Sequence, residues 1–527
     1  MILTLHKLLL KAKQVSDPRD AHAITKETSM RRSYRLTAFL FCVAVLASTP
    51  VPAQQHAEKE KKRMELNAQF DKQKLREKTD FITDRSEKML LPPAGAKEKP
   101  AGDFIVAKVP PTCKLRIVPD MKPEYFTEEG MQYMAGWANW GHVTRSEDNR
   151  FYFSVGDHKG MGCQLNLYEY CPARNLLHRV LDVSKLLGWT DKTYTDGKIH
   201  GYMRIMPDGT LWAATHFGAI PDSSWYANGY RGSWLLSYNI FTHEAKNWGN
   251  PLAPSNLPCF NVDTRRGRMV ANGDFGTILC WDTTEKKVLY AGCPPEGWIW
   301  WDRTMFVDEE TGIFWSVEGS SRKLLPGHDK VQFLSYDPEF NRFLRYEASP
   351  PENPFTHKVD CTRGFTDRPA MDGWYYWTTQ NGVFFRFKPL HNPTAMPGVP
   401  GEDVGWEKPY KTTQNPLVES LGTTWDKGRD VLQLALDPSG RYVYYYPKGD
   451  ASIVQYDVKT GEKKALCWLQ DYYFDKYGYF MGEVYGMNIS ADGSFLVICM
   501  NGEFCGRGNC FGHPSLLVVE IPKEERL

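Results

Sequence analysis

"KIHGYMRIMPDGTLWAATHFG", residues 198–218, reads as one β-hairpin with a histidine at each end. Pro207-Asp208-Gly209 is a tight-turn signal, and apolar, β-prone residues flank it on both sides. The two ends of a hairpin lie side by side. His200, at the start of the first strand, and His216, at the end of the second, are therefore expected to be neighbours.

The hairpin is one part of a unit that recurs. From about residue 103 onward, short β-like runs alternate with Gly, Pro, Asn and Asp turns, and no long amphipathic helix appears. The unit has four strands: an apolar strand, an acidic or glycine turn, an aromatic strand, a loop, a third strand, a turn and a fourth strand. Copies occupy 142–188, 199–253, 258–296, 301–352, 358–400 (a looser one), 430–470 and 483–522. A repeat of roughly 40–50 residues with four strands per copy is the signature of β-propeller blades. The last copy supplies three strands before the chain ends. "DFIVAKVP", residues 103–110, is the candidate for the missing outer strand, which would close the ring without an open edge. The expectation is an all-β, seven-bladed propeller over 103–527, with eight blades as the structural alternative.

Ahead of it, "MRRSYR" at 30–35 is a positive segment leading into the apolar run "LTAFLFCVAVLAS", followed by small residues around Ala53. This is the pattern of a cleavable secretory signal, and the run is too short to span a bilayer comfortably. Residues 1–53 thus read as leader and signal peptide, with Met30 as the expected start, and a periplasmic or extracellular address follows. Cys42 lacks the small preceding residue that lipid attachment favours. Residues 54–102 are charged, poor in aromatics and partly helical in pattern, and read as a linker.

Lys and Arg total 64 against 63 Asp and Glu, which removes any global electrostatic case for a nucleic-acid partner. Aromatics make up 13% of residues, with 17 Trp and 27 Tyr, which suits β-sheet packing or a carbohydrate-contacting surface. Of the 12 cysteines, the close pairs Cys163/Cys171 and Cys505/Cys510 are candidates for small disulfide loops in an oxidising compartment. Cys280, Cys467 and Cys499 lie in apolar runs and read as buried thiols. No CxxCH and no paired CxxC occurs, so neither covalent haem nor structural zinc is indicated.

In a propeller, each blade's first strand starts, and its next strand ends, on one and the same face, near the central opening. His200 and His216 meet that description. His142 and His158 do so in the first copy with the same spacing, although a different turn leaves Asp157 as an alternative to His158. The same offsets assign Arg303, Arg363 and Tyr485 to first-strand starts, and Asp274 and Gln380 to second-strand ends. Tyr230 and Arg231 lie in the long loop after His216, and Trp225, Trp298, Trp300 and Trp301 are candidate stacking surfaces. His, Arg and Tyr around an aromatic mouth suit an acidic sugar. Proton abstraction alpha to a carboxylate needs a cation on that carboxylate, for which Arg303 is the candidate. It also needs a base of near-neutral pKa, His200 or His216, and a proton donor for the leaving oxygen, a Tyr such as Tyr230 or the second His. His142, His158, Arg231, Asp274, Arg363, Trp301 and Tyr485 are the candidate substrate-binding residues.

"IHGYMRIMPDGTLWAAT" resembles the blade motif of streptogramin-type lyases, propellers that eliminate with a histidine base and a bound magnesium ion. The paired mouth histidines also resemble propeller polysaccharide lyases acting on oligogalacturonate, ulvan or rhamnose-glucuronate linkages. The motif covers one blade. The resemblance implies a base role for His200 and for no other residue, and His216 departs from it where the magnesium-binding relatives place a carboxylate. Two further function classes stand beside the lyase. One is a non-catalytic propeller that binds a glycan or protein. The other is a divalent-metal lactonase or hydrolase, with His142, His158, His200 and His216 as an imidazole set. A monomer without a transmembrane segment after signal removal is expected, with acidic carbohydrate as partner.

Overall fold

Seven four-stranded antiparallel sheets follow one another along the chain as the blades of a seven-bladed β-propeller. The computed structural model describes residues 75, 78–93, 104–120, 137–218, 226–227, 229–295, 298–319, 331–391, 410–411, 414–449, 451–504 and 512–526. Blade 1 runs from Thr144–Arg145 to Leu176–Asp182, and blade 2 from Arg204–Ile205 to Ala245–Asn247. Blade 3 spans Cys259–Asp263 to Lys287–Gly292, and blade 4 spans Phe306–Asp308 to Arg342–Arg345. Blade 5 spans Thr362–Phe365 to Leu417–Thr423, and blade 6 spans Leu434–Leu436 to Lys463–Trp468. The hairpin Arg204–Ile205/Thr210–Ala214 pairs in the register its turn dictates, with Trp212 opposite Arg204.

Blade 7 closes the ring. Phe480–Ile489, Phe495–Glu503 and Ser515–Glu520 come from the chain's end, and the outer strand comes from its beginning. That outer strand is Thr112–Ile117, antiparallel to Ser515–Glu520 with Leu115 opposite Leu517. The expectation for 103–110 is corrected by one segment: Phe104–Val106 instead pairs in parallel with Lys463–Ala465 on the outer edge of blade 6. Side-chain alternation explains the choice. In "TCKLRI", Cys113, Leu115 and Ile117 face the core while Thr112, Lys114 and Arg116 sit at intermediate depth. Ile105 and Val106, by contrast, are 48% and 37% exposed. Within the segment read as linker, Ile82–Asp84 adds a further strand outside Thr112–Ile117. There the buried Asp84 carboxylate accepts hydrogen bonds from Tyr472, Tyr477 and Lys476.

The middle strands of the blades are buried on both faces, as Phe151–Gly156, Leu165–Cys171 and Ser452–Asp457 are throughout. Each blade is sandwiched between neighbours, so both faces of these strands are buried, the polar Ser154, Asn166, Glu169 and Gln455 included. An outermost strand such as Lys287–Gly292 is mostly exposed. Trp212, Trp298, Trp300, Trp315 and Trp377 fill the spaces between blades.

The nine described cysteines are free, and all but Cys293 are buried. The Cys163/Cys171 loop is therefore corrected. Leu165–Cys171 runs as an extended strand between the two positions, carrying them about 20 Å apart, far beyond disulfide reach. Cys163 Sγ instead accepts the Gly160 N–H at 3.0 Å. Cys280, Cys467 and Cys499 are buried thiols, as expected. Cys505 and Cys510 lie outside the described residues. No described helix is long and apolar enough to cross a membrane.

Candidate functional site

The inner strands begin on one face, here the histidine face, and turn into the adjoining strands on the other, the turn face. Ahead of blade 2's inner strand, Asp196–Lys198 pairs with His216–Phe217 as a small two-stranded sheet. This pairing sets His216 directly opposite Lys198. Glycines permit it, because a Cβ on Gly197 would lie 1.9 Å from the Asp157 carbonyl oxygen. That close approach of blade 1 backbone brings His158 within 3.2 Å of the Lys198 ammonium, which donates to His158 Nε2. His158, rather than Asp157, thus faces inward: the Asp157 carboxylate accepts the N–H groups of Lys159 and Gln164 and shapes its own loop.

His200 and His216 are neighbours, their rings 5.7 Å apart edge to face. His200 Nδ1 is 2.8 Å from the Pro258 carbonyl. A carbonyl only accepts, so the proton is on Nδ1, and Nε2 accepts from the Arg303 guanidinium at 2.7 Å. His200 is thereby a neutral imidazole with both nitrogens engaged. Burial, and then the charges of Arg303 and Lys198, push its pKa well below 6.5. His216 donates from Nδ1 to Asn256 Oδ1 at 2.6 Å. Its Nε2 has no hydrogen-bond partner among the described residues, although the residue as a whole is only 2% exposed. Burial and Lys198 push the His216 pKa well below 6.5 too, so it presents an open lone pair at neutral pH.

Arg303, 29% exposed along its side chain, lies 3.8 Å from Asp302 and caps the cluster. Lys198 is a functional candidate that strand-end position did not single out. It is buried, has no ion pair among the described residues, and sits 4.9 Å over the Trp140 ring and 5.1 Å over that of Phe217. Burial and Arg303 hold its pKa well below 10.5. The signal was present in "TDGKIHG": Asp196, Lys198 and His200 alternate along one extended run and so share a side. Tyr485, at the start of blade 7, packs 6.1 Å from His200 and 5.0 Å from Trp140. Its hydroxyl makes no hydrogen bond among the described residues, and burial raises its pKa. Arg363 is held by Asp430 at 3.3 Å, the two forming a half-buried pair beside the cluster.

Other expected residues take supporting places. Tyr230 donates its hydroxyl to Asp196 at 2.5 Å, and Thr215 donates to the other oxygen of the same carboxylate. Burial raises the Asp196 pKa to about 6, against the lowering effect of these donors. Asp274 accepts the Asn256 N–H at 3.1 Å and stands one layer behind His216. Trp301 is buried and donates to the Thr362 carbonyl, packing between blades 4 and 5 as Trp298 and Trp300 pack within blade 4's surroundings. Arg231 and Gln380 are exposed and touch nothing in the cluster. Trp225 lies outside the described residues.

His142 is set apart. Its ring stacks on Tyr202 at 3.4 Å, and Tyr202 in turn stacks on Phe365 at 4.4 Å. Blades 2 and 5 are not neighbours in the ring, so this contact crosses the axis and fills the channel at that level. His142 lines a cavity on the turn-face side of this plug, away from His200. The four histidines therefore do not converge as a ligand set. Among the described residues no group of three or more His, Cys, Asp or Glu is placed to hold a metal ion.

No protein-family model matches the chain, and no curated protein matches it.

Proposed function

We propose that this propeller is a secreted lyase that cleaves uronic-acid-containing oligo- or polysaccharide by β-elimination on the histidine face. The observation that supports it most directly is the open Nε2 of neutral His216, held by Asn256, beside a guanidinium that reaches solvent. In this reading Arg303 binds the sugar carboxylate and stabilises the charge that develops as the alpha proton leaves. His216 takes that proton. The C–H electron pair becomes the new carbon–carbon double bond, the bond from the beta carbon to the glycosidic oxygen breaks, and Tyr485 supplies the proton to the departing oxygen. His200, whose nitrogens are both occupied, positions Arg303, and Lys198 adds another positive group beside the base.

The test is incubation of the purified chain with a panel of uronic-acid glycans, following ultraviolet absorbance of the unsaturated product. His216→Ala is expected to lower kcat by about 10²–10⁴-fold with the far-ultraviolet circular dichroism unchanged. Glycan binding with no unsaturated product, retained in His216→Ala, would replace this reading with a binding propeller. Activity lost on chelation and restored by a divalent ion would replace it with metal-dependent chemistry.

A further inference from the structure

On the turn face, beyond the His142–Tyr202–Phe365 plug, the inner strands enclose a cavity of about 260 Å³. We propose that it binds a small dianion of the sulfate or phosphate class between Arg145, Arg204 and Arg368.

Each arginine comes from the end of a different inner strand: Arg145 from blade 1, Arg204 from blade 2 and Arg368 from just beyond the strand of blade 5. One carboxylate lines the cavity with them, Asp367, which lies 3.6 Å from Arg204 and is half exposed. Three guanidinium groups against one carboxylate leave two positive charges, the complement of a dianion. Two of the three have anchors that fix their aim. Arg204 donates from Nε to Asn261 at 3.2 Å, and Arg368 donates to the Asp437 carbonyl. The Arg145 side chain is half buried and makes no hydrogen bond or ion pair among the described residues, with Asp367, already engaged by Arg204, as the carboxylate whose charge reaches it. A partly desolvated guanidinium without a partner is costly, and a planar fork of donors is suited to a tetrahedral oxyanion. The buried Nδ1 of His142, also without a partner, adds a polar atom to the same wall. The space is below that of pockets for drug-sized ligands, so an ion or small ester fits and an oligosaccharide does not.

Equilibrium dialysis of the full chain with labelled sulfate and labelled phosphate, at constant ionic strength set by chloride, tests the site. Saturable binding of one ion per chain at ~1 mM or tighter is expected. Arg145→Gln, which orphans no partner, and Arg368→Gln, on an exposed side chain, should each weaken it about tenfold or more. Sulfate affinity should stay level between pH 6 and 8, while phosphate affinity rises as the monoanion becomes the dianion. Absence of saturable binding by wild type would overturn the proposal. So would unchanged affinity in both variants, or displacement by chloride or acetate at concentrations equal to the dianion.

Discussion

Lowering the pH from 7 to 5.5 should destabilise this propeller by about 3 kcal/mol, through three buried histidines. His142, His200 and His216 each have a folded-state pKa well below 6.5, with burial as the first cause in every case. The unfolded chain binds protons at these positions near pH 6.5, and the folded chain does not, so stability falls as pH drops through that value. A histidine that stays neutral in the fold down to pH 5.5 loses a little over ~1 kcal/mol relative to pH 7, and three lose about 4 kcal/mol. Asp196 acts in the opposite direction. Its folded pKa is raised to about 6, so below pH 6 the fold holds a proton that the unfolded chain releases. Over the same interval this offsets just under ~1 kcal/mol. Whatever share of Lys198 is neutral in the fold adds to the loss, since the unfolded lysine is fully protonated. Against a total of about 5–15 kcal/mol for a folded domain, the net change is large. Urea unfolding followed by tryptophan fluorescence at the two pH values measures it. The variants read the slope with pH rather than absolute stability. Each His→Gln substitution should flatten it by about 1 kcal/mol, and Asp196→Asn should steepen it by up to about 1 kcal/mol. A wild-type change under about 1 kcal/mol, or a triple His→Gln variant with the wild-type slope, would refute the assignment of buried neutral imidazoles.

The ring closure can be probed on either side of residue 110. Leu115→Ala, in the fully buried closing strand, should cost about 2–5 kcal/mol, whereas Ile105→Ala, half exposed on the edge of blade 6, should change stability by no more than about 0.5 kcal/mol. Equal shifts in the urea midpoint would contradict the closure by Thr112–Ile117. Asp84→Ala removes hydrogen bonds from Tyr472, Tyr477 and Lys476 to a buried carboxylate, a loss of about 2–3 kcal/mol. Faster tryptic cleavage at Arg85 and Lys88 is the expected readout, and an unchanged cleavage rate would show that this strand is not anchored through Asp84.

The blades were legible because their information is local. Short β-like runs, turn glycines and aromatic strands recur in each copy, and each repeat seeds one sheet, although the outer strands of blade 5 (Leu417–Thr423) and blade 7 (Thr112–Ile117) lie outside the copies read at 358–400 and 483–522. Strand-end logic also carried over to His200, His216, His158 and Arg303, which a single rule of position brings to one rim. It did not discriminate depth along the axis. His142 lies two residues ahead of its inner strand Thr144–Arg145, as Tyr202 does ahead of Arg204–Ile205, whereas His200 lies four ahead, so His142 sits at the level of Tyr202. Nor could the pattern show which loop residues turn inward to serve buried carboxylates, as Tyr230 does for Asp196. The closing strand was misplaced by one segment because "DFIVAKVP" and "TCKLRI" both read as strands. Only the alternation of "TCKLRI" fits an edge with one face on the core. Lys198 was passed over because a lysine in a polar run ordinarily points to water. Its burial follows from the Asp196–Lys198/His216–Phe217 pairing, a tertiary fact.

The plug gives the two faces separate chemistry. Tyr202 and Phe365 stack on each other from non-neighbouring blades, and His142 stacks on Tyr202, which places aromatic rings between the two faces at that level. Each side keeps positive groups whose local charge is not fully compensated among the described residues: Lys198 without an ion pair above, Arg145 without any hydrogen-bond or ion-pair partner below. Burying cations in this way costs stability that apolar residues of like size would not. On the histidine face burial first, and then the neighbouring cations Lys198 and Arg303, push the pKa values of His200 and His216 down toward the neutral state a base requires. Replacing Lys198 by Met should therefore stabilise the fold while raising the pKa of His216. A base held open by a nearby charge would then begin to protonate at a higher pH, moving the acid limb of the activity profile upward. A Lys198→Met variant with greater stability and an unmoved acid limb would mean that burial alone, and not the neighbouring cation, keeps the imidazole neutral.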